Sequence, residues 1–145
     1  MQAYPHHYVV AAEAGSESNV QVTGDGLVAI ESAPPAEFDG PGDQWSPEDL
    51  LVASVADCLI LTFRAIARAN KLEWDSLKCE TTGVLDKVDR VTRFTEFRTK
   101  ATLRVPAGTD AAKCERLLDR AEQACLITSS LIAENHLEVS VEVAG

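Results

Sequence analysis

Residues 46–70 read SPEDLLVASVADCLILTFRAIARAN, and this stretch constrains the fold more than any other. Ser46 suits a helix N-cap, and Pro47 suits the first helical position, where a missing N–H costs nothing. Asp49 stands three residues after the serine, giving a weak form of the capping box. Glu48 and Asp49 fall in the first turn, where the helix dipole favours carboxylates. From Leu50 to Phe63 the helix is apolar nearly all round, interrupted by Ser54 and Asp57. Such a helix is buried on more than one side. In a chain of 145 residues that calls for a sheet on one side and a second helix or a partner chain on another. Arg64 and Arg68, four residues apart, mark where the helix meets solvent.

The flanking segments supply the sheet. YVVAAEA at 8–14 and the alternating SNVQVTG suggest strands. Asp25-Gly26 is a turn signal before LVAIES, so a hairpin or small meander is expected. APPAEFDGPGDQW reads as a loop. Two long strands are expected over 74–88 and 94–105, joined by a turn at 88–93. A helix capped by Thr109 or Asp110 follows, with Ala111, Cys114, Leu117, Leu118 and Ala121 on one face. The segment TSSLIAEN predicts a short helix and LEVSVEVA a closing strand. This order predicts an α+β fold built on antiparallel sheet, in a single domain over 1–145.

The net charge of -10 repels phosphate backbones and argues against a nucleic-acid partner. No Lys or Arg precedes Arg64. No run of eighteen apolar residues is free of charge, so no membrane span is expected. MQAYPHHYVV has no basic region followed by an apolar run, so no secretory signal is expected and the cytoplasm is the default compartment. The four cysteines, Cys58, Cys79, Cys114 and Cys125, would there be reduced unless they do redox work. Their spacing fits no zinc pattern, and no metal or cofactor is expected. Adjacent His6 and His7 fit a strand edge near the N-terminus, and His136 a turn before the last strand.

Cysteine is a good buried hydrophobe, and Cys79 and Cys114 read as core. Cys58, midway along the long helix, and Cys125, in EQACLITSSL, are open to either reading: packing or a working thiol. Ser129 and Ser130 follow Cys125, available either to donate to a thiolate or to cap the short helix.

SPEDLLVASVADC resembles the corresponding helix of the OsmC/Ohr family, the osmotically induced and organic-hydroperoxide-resistance proteins. Pro47, Glu48, Leu50, Leu51, Ala53 and Cys58 match that motif by position. EQACLITSSL resembles the family's second cysteine motif, and the order of elements agrees over nearly the whole chain. The resemblance implies an OsmC-like α+β fold, antiparallel sheets about a long central helix, in an intertwined homodimer with sites at the subunit boundary. It also implies a cysteine-based peroxidase that reduces organic hydroperoxides to alcohols. Cys58 would attack, Cys125 would resolve, and a dithiol reductant of the dihydrolipoyl type would recharge the pair. Glu48 matches the glutamate that holds an activating arginine in the family. That arginine has no counterpart in AEAGSESNVQV. Arg64, Arg68, Arg93 and Arg98 are the candidates to replace it. Asp57, beside Cys58, would oppose thiolate formation if close. The alternative function is non-enzymatic: binding of a small apolar ligand at the dimer interface.

Overall fold

A computed structural model describes all residues from Met1 to Gly145. The chain divides into two compact units, Met1–Leu50 and Leu51–Gly145.

The first unit is a three-stranded antiparallel meander of β1 (Ala11–Glu13), β2 (Val20–Thr23) and β3 (Ile30–Ser32). The expected turn is present. Gly26 has φ 72°, a conformation that costs glycine little, and Leu27 N–H donates to the Gly24 carbonyl at 3.1 Å. The proline-rich loop after β3 contains one turn of 3-10 helix, Ala36–Phe38, which the sequence did not signal. The loop ends where Ala33 N–H donates to the Trp45 carbonyl at 2.8 Å. Ser46 is fully buried. Its hydroxyl accepts from Asp49 N–H at 3.1 Å and donates to the Asp49 carboxylate at 2.9 Å. The expected cap therefore forms, and α1 runs over Pro47–Ala69.

The second unit is a three-stranded sheet, β4 (Ser76–Val88), β5 (Val91–Val105) and β6 (Glu134–Val143), packed against helices. The β4–β5 pair is the expected long hairpin. Its turn is shorter than the sequence suggested, only Asp89 and Arg90, both at positive φ (50° and 68°). Two left-handed residues give the turn whose twist matches the flanking strands. The departure from expectation is β6. It pairs with β5 in parallel, so the sheet is mixed rather than wholly antiparallel. A parallel neighbour needs a crossover, which is supplied by α2 (Ala111–Ala124) and α3 (Leu126–Ser129).

Asp110 caps α2 by accepting from Ala112 N–H and Lys113 N–H at 3.0 and 3.4 Å. The core lies between the sheet and the helices. Leu59, Phe63 and Ala67 of α1 meet Ala101, Leu103 and Val105 of β5 and Cys114, Leu117, Leu118 and Ala121 of α2. Phe63 is wholly buried and stands edge-on to Trp74, centroids 5.5 Å apart. Burial of one such ring is worth about 1.5–3 kcal/mol. A second cluster joins Val55, Phe97 and Ala133. Gly83 lets α1 and β4 close up, because a Cβ there would lie 2.7 Å from Val52 Cγ2 and 2.9 Å from Phe94 Cε1.

By length and composition α1 could cross a bilayer. Its Val55, Leu59, Phe63 and Ala67 stripe is instead buried in the protein core.

Candidate functional site

Cys58 and Cys125 are brought together, although they come from different helices. Cys58 lies on α1 and is partly buried. Thr62 stands one turn later on the same helix, its Oγ1 3.7 Å from Cys58 Sγ. Cys125 is 2 % exposed and occupies the junction between α2 and α3. Its extended backbone (φ -63°, ψ 115°) ends one helix and caps the next. The junction is locked at the Cys125 carbonyl. That oxygen accepts from Ser129 N–H at 3.0 Å, Ser129 Oγ–H at 2.8 Å and Thr128 Oγ–H at 3.2 Å.

The two thiols are pushed in opposite directions. Burial works to raise the Cys58 thiol. The Ile127 amide, the Cys125 thiol, the Thr62 hydroxyl and the Leu126 amide more than offset it, and the thiol ends below its ordinary range. Leu126 and Ile127 open α3, where the first N–H groups have no partner within the helix. Cys125 is raised, first by burial and further by donating its proton toward Cys58, with the Thr128 amide and hydroxyl pulling the other way. The arrangement favours one thiolate, at Cys58, beside one protonated thiol, at Cys125.

Every group lowering Cys58 is neutral. Of the four candidate arginines, Arg64 and Arg68 are exposed, and Arg98 is exposed and held by Glu96 at 2.5 Å. Arg93 is half-buried and lines an apolar cavity of about 270 Å³ with Leu51, Phe94, Phe97, Leu131, Ile132 and Ala133. Asp57 is exposed. Glu48 stands in the first turn of α1, with one carboxylate oxygen buried and without a hydrogen-bond partner. Cys79 and Cys114 belong to the core, as expected. Burial pushes Cys79 up to about 11, and burial followed by the Asp110 charge raises Cys114.

Two details differ from the sequence reading, and a third, left open there, is decided. The short helix begins at Leu126 rather than at Thr128 and stops at Ser129, where hydroxyls fold back onto the backbone. Ser129 and Ser130 donate to the Cys125 and Leu126 carbonyls, so their hydroxyls cap the helix. His136 lies within β6 rather than in a turn. Thr62 was missed, though its spacing four residues after Cys58 on a helix was a usable signal.

Residues 40–142 match the family described as OsmC-like protein. The chain belongs to that family. An uncharacterized relative, YmaD of Bacillus subtilis, is 28 % identical to this OsmC-like chain over 145 residues, covering 97 % of each. The fold is similar to that of an OsmC-like protein of unknown function from Vibrio cholerae, with TM-score 0.81 and 19 % identity, covering 95 % of this chain and 100 % of that one. It is also similar to an organic hydroperoxide resistance protein OsmC from Legionella pneumophila, with TM-score 0.73 and 21 % identity, covering 97 % and 99 %.

Proposed function

We propose that this OsmC-like protein is a thiol-dependent peroxidase that reduces organic hydroperoxides to alcohols. The observation that carries the reading is the approach of the Cys58 and Cys125 thiols to hydrogen-bonding range at the start of α3, which favours the charge on Cys58 and the proton on Cys125. A peroxidase needs a thiolate nucleophile and a second thiol kept in reserve. The Cys58 thiolate attacks the outer peroxide oxygen and the O–O bond breaks. The sulfur becomes a sulfenic acid, and the alkoxide leaves as alcohol after taking a proton. The Cys125 thiol then displaces water from the sulfenic acid, giving a Cys58–Cys125 disulfide. A dithiol reductant of the dihydrolipoyl type returns both thiols by exchange and is itself oxidised to a disulfide.

Kinship to hydroperoxide-resistance proteins supports the substrate class. The active form is a homodimer. Exposed apolar side chains, among them Leu61, Leu126 and Ile132, give a second copy something to cover. Glu48, whose buried oxygen has no hydrogen-bond donor, is the third site residue of this reading.

One stoichiometric addition of cumene hydroperoxide tests the reading. Two thiols per chain should disappear and one equivalent of alcohol should form. Replacing Cys58 by Ser should abolish both changes. Unchanged thiols at neutral pH would remove the peroxidase assignment. The second reading, binding of a small apolar ligand, is favoured by the cavity beside Arg93. It predicts saturable binding of a fatty or aryl compound with no loss of thiols.

A further inference from the structure

The outer face of the β4–β5–β6 sheet carries a second group of chemically capable side chains. In the parallel β5–β6 ladder Glu96 lies opposite Glu134, and Arg98 lies opposite His136. Strand periodicity sends all four to the same face. Two carboxylates directly opposite on adjacent strands repel, so the pairing is unfavourable unless a positive charge lies between them.

His136 Nε2 lies 3.4 Å from Glu96 Oε2 and 3.6 Å from Glu134 Oε2. Both distances exceed those of well-formed N–H···O hydrogen bonds, about 2.7–3.2 Å. They do match the separation of two donors on one small cation. With metal–nitrogen and metal–oxygen bonds of about 2.1 Å, the edge of a tetrahedron is about 3.4 Å. The ligand atoms of all three residues fall within 4.8 Å of one another.

The supporting groups also fit. Arg98 holds Glu96 at 2.5 Å through Oε1, which leaves Oε2, the oxygen nearer His136, for a ligand. Glu96 is the anchored member at 19 % side-chain exposure, while His136 and Glu134 are open to solvent at 54 % and 79 %. The Arg98 charge opposes a cation. Against it stand the two ligating carboxylates, and Glu122 of α2 lines one cavity with His136.

We propose that Glu96, Glu134 and His136 form a binding site for a divalent transition ion, of which Zn²⁺ is the probe. One imidazole and two carboxylates suit such an ion better than Mg²⁺ or Ca²⁺, which prefer oxygen alone. Three protein ligands leave a coordination position open, so the ion is exchangeable.

Calorimetric titration of the full chain with Zn²⁺ should give one equivalent bound per chain. His136→Ala and, separately, Glu134→Gln should each weaken binding by at least about tenfold. Both side chains are exposed, and circular dichroism checks that the variants fold. Cobalt substitution separates this site from the cysteines. Bound Co²⁺ should show visible ligand-field bands without a thiolate charge-transfer band. Undiminished affinity in His136→Ala, a thiolate band, or no binding to the native chain would each overturn the assignment.

Discussion

The Cys58 sulfur and the Thr62 hydroxyl lie 3.7 Å apart, one turn apart on α1. A hydroxyl at that position donates to the thiolate and has little to offer the thiol. Thr62→Val keeps the shape and removes the donor. Alkylation of Cys58 by iodoacetamide at neutral pH should slow by roughly three- to tenfold, the worth of one ordinary hydrogen bond of about 0.5–1.5 kcal/mol. Its pH–rate profile should move to higher pH, while native Cys58 levels off below the ordinary thiol range. An unmoved profile would mean that the Leu126 and Ile127 amides act without Thr62.

Cys79 gives the opposite pH behaviour. Burial raises it from 9.0 to about 11 in the folded chain. The unfolded chain ionises this thiol first, so its contribution to stability is complete below pH 9.0 and is lost as the pH rises to about 11. Urea midpoints should fall across that window. In Cys79→Ala the fall should be shallower, whatever the variant's stability at neutral pH.

Gly83 is a packing requirement. Gly83→Ala places a methyl 2.7 Å from Val52 Cγ2 and 2.9 Å from the Phe94 ring. The unfolding free energy should drop by about 1–3 kcal/mol, the usual cost of overpacking. Urea denaturation measures it. Gly26→Ala, where no atom beyond the adjoining residues lies within 4 Å of the added methyl, should cost only the strain of a positive φ.

Ser46 tests the start of α1. Ser46→Ala removes both the acceptor for Asp49 N–H and the donor to its carboxylate. The expected loss is about 1 kcal/mol, the typical cost of removing an N-cap. Asp49→Asn, which leaves the serine's acceptor intact, should lose less.

These residues also show where the sequence was legible. Ser46, Pro47 and the apolar run gave the start and length of α1, because capping and periodicity are local. The β4–β5 hairpin was legible for the same reason, although Asp89 and Arg90 hid the tightness of its turn. The direction of β6 was not legible. Alternation in LEVSVEVA is the same for parallel and antiparallel neighbours, and the choice is made by the α2–α3 crossover. The cysteine pair could be named from motif resemblance. The lowering of Cys58 was not legible, because Leu126 and Ile127 act on it through backbone amides, which no side-chain pattern records.

Three protons converge on the carbonyl oxygen of Cys125, from Ser129 N–H and from the hydroxyls of Thr128 and Ser129. The peptide carrying the second sulfur is thereby tethered to the turn that follows it. Joining that sulfur to Cys58 would tug on this tether. Isotope exchange at the Ser129 amide should therefore quicken when the two cysteines are linked, giving a label-free readout of the protein's oxidation state.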